Sequence, residues 1–319
     1  KDIETILQLV YLNFTAPRFD EGDLNNLKKM YAPYFANMEQ DPNYICSKEL
    51  QKTLFNNHYR QQITSAAQIE ALNIATLQSV HSQLYGYADD FRFVIAGNID
   101  LNTLKPLVEK YIGSLPTSKK VEYAVVDDGV RTAEGKVTND FRTPMQQPKV
   151  SVRLNYTGAI ENNAKNRLIV DLLGRALDSR YMVSIREEKG GTYGVGVGGS
   201  IDKYPVETYQ LSIGFDTNEA LADELIEICD AEIRKIAEEG PLADDIAKSK
   251  EFLQKNYNNV LESNNGWISA ISRYYDEGYN YKDEYLGILD SVTADDVKAF
   301  AQKLLDDGNR TLVVMRPER

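Results

Sequence analysis

The sequence predicts an α+β protein: an antiparallel sheet with helices packed on one face, arranged as tandem repeats of which the first is incomplete. Three observations carry that prediction. Two runs alternate strictly: Val150, Val152, Leu154 and Tyr156 against Ser151, Arg153 and Asn155, and Tyr209, Leu211, Ile213 and Phe215 against Gln210, Ser212 and Gly214. Each run buries one face and wets the other. Apolar residues at steps of three and four mark long helices between and after them. Finally, a slide of about 220 residues lays a helix-then-strand pattern on itself, pairing Ile69 with Leu289, Leu77 with Val297, Leu84 with Leu304, and Phe93-Val94-Ile95 with Val313-Val314-Met315.

The elements follow in order. Ile3, Ile6, Leu7, Val10, Tyr11 and Phe14 form the stripe of a first helix, broken at Ala16-Pro17, and a second carries Leu24, Leu27, Tyr31 and Tyr34. Asp41-Pro42 opens a third, with Asp as N-cap and Pro at the first helical position. Helix continues through Leu50 and Leu54 and resumes from Ile74 to Tyr85; Phe91 to Ile95 reads as a buried strand and Leu101 to Tyr111 as a helix. A long helix starts near Asn163, with Leu168, Ile169, Leu172, Leu173, Ala176 and Leu177 facing inward, and a glycine-rich strand, Gly191 to Ser200, follows it. The next helix runs from Asn218 to Glu239 and stops at Gly240-Pro241. Thr293-Ala294-Asp295-Asp296 resembles a capping box for the last helix, and Thr311 to Met315 is the final strand.

The polar stretch Gly113 to Lys120 reads as the domain linker, and the repeat assigns the C-terminal part of a first unit to residues 1–118, a linker to 119–130 and a complete second unit to 131–319. The missing strands of the first unit are expected upstream of Lys1. The opening Lys1-Asp2-Ile3, with neither a methionine nor a signal-peptide pattern, fits a fragment or a processed product.

Composition narrows the function. The chain has 319 residues, 42% hydrophobic and 26% charged, which suffices for a substantial core without disulfide or metal staples. Lys and Arg number 36 against 48 Asp and Glu, a formal net charge of −12, so nucleic-acid binding is not expected and neither is binding to an anionic membrane. No apolar run approaches the ~20 residues of a membrane span. Cys46 and Cys229 lie far apart without CxxC spacing, which excludes a disulfide framework. His58 and His81 are the only histidines, so the chain has no HExxH, no HxxEH and no Cys/His cluster, and both read as surface or packing residues. Gly194-Val195-Gly196-Val197-Gly198-Gly199 matches GxGxxG but leads into another strand rather than a helix, so it is not a nucleotide fingerprint. Its glycine face is expected to lie under a close-packed backbone or to leave room for a bound peptide.

The informative stretch is Ser184-Ile185-Arg186-Glu187-Glu188-Lys189-Gly190-Gly191-Thr192-Tyr193. Arg186 falls in the last turn of the long helix, Gly190 and Gly191 suit the positive-φ conformation that ends it, and Tyr193 enters the following strand. A guanidinium and a phenol at one helix–strand corner offer fixed donors to a carbonyl or oxyanion. Equally, Arg186 complements the helix dipole and Tyr193 is one of twenty tyrosines.

This stretch resembles the C-terminal half of the pitrilysin/insulinase family of zinc peptidases, the inverzincins, whose members carry an Arg seven residues before a Tyr at the end of a long helix. Phe91 to Pro116, through Gly97-Asn98-Ile99-Asp100 and Gly113-Ser114-Leu115-Pro116, is similar to the family's domain ending. The resemblance implies a zinc endopeptidase in two halves. The N-terminal half would hold zinc through HxxEH and a downstream Glu, and this chain would hold no metal or other cofactor. It implies that Tyr193 donates to the scissile carbonyl oxygen and Arg186 grips a nearby substrate carbonyl. The implied partners are the N-terminal half and a peptide or small protein substrate, without membrane insertion, in the periplasm or cell envelope, with the cytoplasm as the alternative. Lacking HxxEH, the chain alone is expected to be inactive. The competing expectation is a non-catalytic structural or peptide-binding subunit of the same fold.

Overall fold

The computed structural model describes residues 2–118 and 125–318; the part of the expected linker at 119–124 lies outside them. The helices and strands, in chain order, are α1 (Ile3–Thr15), α2 (Glu21–Met38), α3 (Pro42–Leu54), α4 (Ala66–Ala71), α5 (Ile74–Tyr85), α6 (Leu101–Tyr111), β1 (Lys136–Thr143), β2 (Val150–Ala159), α7 (Ala164–Tyr181), β3 (Gly196–Asp202), β4 (Thr208–Thr217), α8 (Ala222–Glu239), α9 (Ala243–Glu262), α10 (Asn264–Glu277), α11 (Tyr281–Ser291), α12 (Ala294–Asp307) and β5 (Arg310–Pro317). They fall into two compact units. Of the described residues, one comprises 2–39, 64–118 and 263–272; the other comprises 40–63, 125–262 and 273–318.

The helical unit is held by aromatic packing. Phe14 lies edge-on to Tyr85 and Phe91, with ring centroids 5.5 and 4.9 Å away, and His81 stacks on Tyr85 at 5.0 Å. Leu7 and Phe14 of the α1 stripe are buried, but Ile6 is exposed. Phe91 to Ile95, expected to be a buried strand, forms no strand among the described residues, and Phe93 and Ile95 are partly exposed. These residues have strand-forming side chains, but a strand also needs a neighbour to exchange backbone hydrogen bonds with.

The second unit holds one five-stranded sheet in the order β1-β5-β2-β4-β3. Its three pairings β5–β2, β2–β4 and β4–β3 are antiparallel, while β1 runs parallel to β5. The alternation of β2 and β4 turns Val152, Leu154, Leu211 and Ile213 towards α7, α8 and α12, where they form one continuous core. The other face is only half covered. Asn139, in register with Val313, donates to Glu49 Oε2 at 3.1 Å and to Thr53 Oγ1 at 3.0 Å, which places α3 over the β1/β5/β2 half. On the β4/β3 half the glycines of β3 are exposed.

Local chemistry sets the element ends. Asp41 Oδ1 accepts from the Asn43 and Tyr44 amides with Pro42 at the first helical position, and Thr293 and Asp296 close a full capping box. Gly240 ends α8 at φ +89°. The α8 start expected at Asn218 shifts to Ala222, because Asn218 Oδ1 accepts from the amides of Ala220 and Leu221 and forms a turn. The strand expected from Gly191 begins at Gly196, where pairing to Gly214 starts.

Candidate functional site

The long helix α7 does not end cleanly. It runs into a π-helical turn, Met182–Glu187, in which the Glu188 amide reaches the Val183 carbonyl at 3.0 Å. Such widened turns are frequent at functional sites. Arg186 sits on this turn, exposed, with Nη1 3.3 Å from the Met182 sulfur. Gly190 adopts φ +62°, the left-handed conformation expected of it. Gly191 does not, and its reason is close approach: a Cβ there would lie 2.5 Å from Leu221 Cδ1.

Beyond the glycines the chain is tied down on both sides of Tyr193. Thr217 Oγ1 donates to the Gly191 carbonyl at 2.6 Å, and Thr192 Oγ1 both donates to the Gly194 carbonyl and accepts from its amide. Lys189 pairs with Glu224 at 2.6 Å. Between these anchors the Tyr193 side chain stands free, 101% exposed, in the lead-in to β3 rather than within the strand.

Tyr193 lines two adjoining hollows on the uncovered half of the sheet. One, of about 480 Å³, is lined also by Arg153, Gly194, Gly196, Gly214 and Asp216. The other, of about 530 Å³, is lined by Lys149, Gly190, Gly191, Asp216 and Asn218 among others. Thr192, Tyr193 and Asp216 border both. Arg186 borders neither, so the structure presents both sequence-read residues to solvent without gathering them into one hollow.

The charged floor was missed in the sequence. Lys149 Nζ donates to Asp216 Oδ2 at 2.6 Å and to Asn43 Oδ1 at 2.8 Å, and Arg153 Nη1 reaches Asp216 Oδ1 at 3.4 Å. Burial raises the Asp216 pKa, but the Lys149 hydrogen bond and the neighbouring cations outweigh it, leaving the carboxyl below its usual value. The alternation expected a wet second face on β2, but Ser151 and Asn155 are buried there; Arg153 alone stays half-buried, directly opposite Gly214 of β4, and only the pairing register brings them together.

No three His, Cys, Asp or Glu side chains among the described residues are placed to hold a metal ion. His58 Nε2 lies 3.2 Å from the Asp128 carbonyl, its Nδ1 accepts from the Arg60 amide, and His81 is engaged in ring stacking. The donor set therefore does not fit a zinc centre.

An α+β unit with a half-open sheet, an exposed tyrosine and no metal-binding cluster among its described residues defines the class. Residues 71–253 match the peptidase M16 inactive domain, and the chain belongs to that family. It is 24% identical to "Zinc protease PQQL-like" of Arabidopsis thaliana over 100% of this chain and 36% of that protein, and 19% identical to "Probable zinc protease PqqL" of Haemophilus influenzae over 99% and 34%. The chain thus spans about a third of the length of these curated relatives. The crystal structure of the periplasmic protease PqqL from Escherichia coli superposes with a TM-score of 0.82 at 19% identity, over 99% of this chain and 35% of that one. A peptidase M16 inactive domain from Pseudomonas fluorescens gives 0.77 at 20% identity, over 99% and 76%. Among the described residues no helix is long and apolar enough to cross a membrane.

Proposed function

We propose that this chain is the substrate-orienting C-terminal part of a zinc endopeptidase whose metal is held by HxxEH in a separate N-terminal half. In this reading residues 1–118 complete a first repeat, 119–130 link, and 131–319 form the second. The observation that carries it is the phenol of Tyr193, fixed at its backbone, bare at its tip and standing over an open hollow. A phenol held this way donates a hydrogen bond to a peptide carbonyl oxygen as negative charge develops there, an interaction that strengthens towards the transition state. Zinc in the other half would supply the activated water; this chain would bind and orient the peptide and, through Tyr193, stabilise the oxyanion. Arg186, with the free donors of an exposed guanidinium, grips a second substrate carbonyl once a peptide spans the corner. The periplasm or cell envelope is the proposed compartment, by analogy with the E. coli relative.

The test is complementation. The 319-residue chain alone should hydrolyse no peptide, and peptidase activity should appear when it is joined to the HxxEH-bearing half. Hydrolysis by the pure chain, or an N-terminal half fully active without it, would leave the reading without support and favour the structural subunit.

A further inference from the structure

The hollow beside Tyr193 carries features that a tyrosine donor alone does not require. Within a chain of net charge −12 two cations flank one carboxylate where the two hollows meet: Asp216 borders both, Arg153 lines the first and Lys149 the second. The two cations are used unequally. Lys149 has short bonds to Asp216 and Asn43. Arg153 spends Nη1 on the carbonyls of Val152 and Phe215, at 2.8 and 3.2 Å, and reaches Asp216 Oδ1 with it at 3.4 Å, while Nη2 has only a 3.5 Å contact to Asp216 and Nε–H meets no acceptor among the described residues. A guanidinium has five donors in a planar fork, and the Nε/Nη2 edge matches a carboxylate bidentately.

The floor is also bare where the fold does not need it to be. Gly214 has a reason, since a Cβ would sit 3.3 Å from Arg153 Cδ, and its absence lets the arginine lie across β4. Gly194, Gly196 and Gly198 have none of this kind. Their φ values are not left-handed, a Cβ at Gly194 or Gly198 would meet no atom within 4 Å, and one at Gly196 would meet only the Gly214 carbonyl at 3.7 Å. Gly196 and Gly198 share the face of Gly214 and Ser212, their register partners. Glycine weakens a strand, and a run of it on one face with no internal cause marks space for another backbone.

We propose that Arg153, on this glycine floor, forms a subsite that binds a carboxylate of the peptide lying over Tyr193, supplied by an Asp or Glu side chain. The proposal rests on the reading of this hollow as a peptide site and adds its side-chain preference. Asp216 holds the arginine in place, and Lys149 offsets the repulsion between the two carboxylates.

The test uses the 319-residue chain and fluorescence anisotropy with octapeptides identical except for a central Glu or Gln, each with a free or an amidated C-terminus. The wild type should bind the amidated Glu peptide about tenfold tighter than its Gln counterpart, the size of one charge-assisted contact in a half-exposed site. Arg153→Gln should bring the two affinities together, and Arg153→Lys should retain part of the preference. If Arg153→Gln fails to fold, judged by circular dichroism, the wild-type ratio and the Lys variant still decide. Equal affinities in the wild type, or a variant that weakens both peptides alike, would overturn the proposal. A preference that follows the free C-terminus instead would overturn the side-chain source. Hydrolysis plays no part in this readout. Binding without preference sinks this inference alone, whereas no binding of any peptide sinks the peptide-site reading beneath it.

Discussion

Adjacent glycines on β3 give opposite predictions, because successive strand residues face opposite sides of the sheet. A Cβ on Gly199 would lie 2.4 Å from Val170 Cγ1 and 3.1 Å from the Val170 carbonyl, against the side of α7. Valine is stiff at χ1 and the carbonyl belongs to a helix, so neither yields cheaply. Overpacking of this kind costs about 1–3 kcal/mol, partly offset by the ~0.5–1 kcal/mol that alanine gains over glycine in a strand. Gly199→Ala should therefore destabilise by about 1–2 kcal/mol. At Gly198 no atom lies within 4 Å of the added methyl, and Gly198→Ala should stabilise by ~0.5 kcal/mol. Thermal denaturation followed by circular dichroism at matched concentration should separate the variants by several degrees, at the ~2–4 °C per kcal/mol typical of this size. Equal melting temperatures, or the reverse order, would refute the packing assigned to β3 against α7.

Further outcomes follow from the charge networks. Arg310 donates to both oxygens of Asp230, at 3.1 and 2.9 Å, and Tyr156 donates its hydroxyl to the same carboxylate beneath the core. Asp230→Ala strands a largely buried guanidinium and should cost about 3 kcal/mol, read from the denaturant midpoint, with Asp230→Asn intermediate. Asp216 has its pKa depressed below the usual 3.8, so its contribution to stability is full above that pH and is lost as pH falls through the lower folded value. The melting temperature of the wild type should consequently fall more steeply below pH ~4 than that of Asp216→Asn. Equilibrium dialysis should find no stoichiometric zinc on the 319-residue chain; one tightly held zinc per chain would contradict the assignment of the metal to another half.

Much of the second unit was legible in the sequence because its signals are local. The period-2 runs at 150–156 and 209–215 became β2 and β4, and the Asn163, Asp41 and Thr293 starts each appear as a capped helix end. What escaped depends on contacts distant in sequence. Nothing near Lys136 announces that β1 will lie parallel to β5, and nothing near Leu50 says that α3 will cover half of the outer sheet face. Phe91 to Ile95 has strand composition, but among the described residues it pairs with no strand. At the site, the Arg186 and Tyr193 spacing was readable. The pairing of Lys149 and Arg153 with Asp216 was not, since 63 or more residues of chain separate the partners and only the β2–β4 register joins them.

The substrate-side role falls on one hydroxyl. Tyr193→Phe, introduced into the protein joined to its HxxEH-bearing half, removes a single donor from a fully exposed side chain and should leave the melting temperature unchanged. Turnover of a fluorogenic peptide should fall about 10²–10³-fold, the loss typical of one oxyanion donor, with KM little altered. A variant that cleaves at the wild-type rate would contradict the role given to this chain.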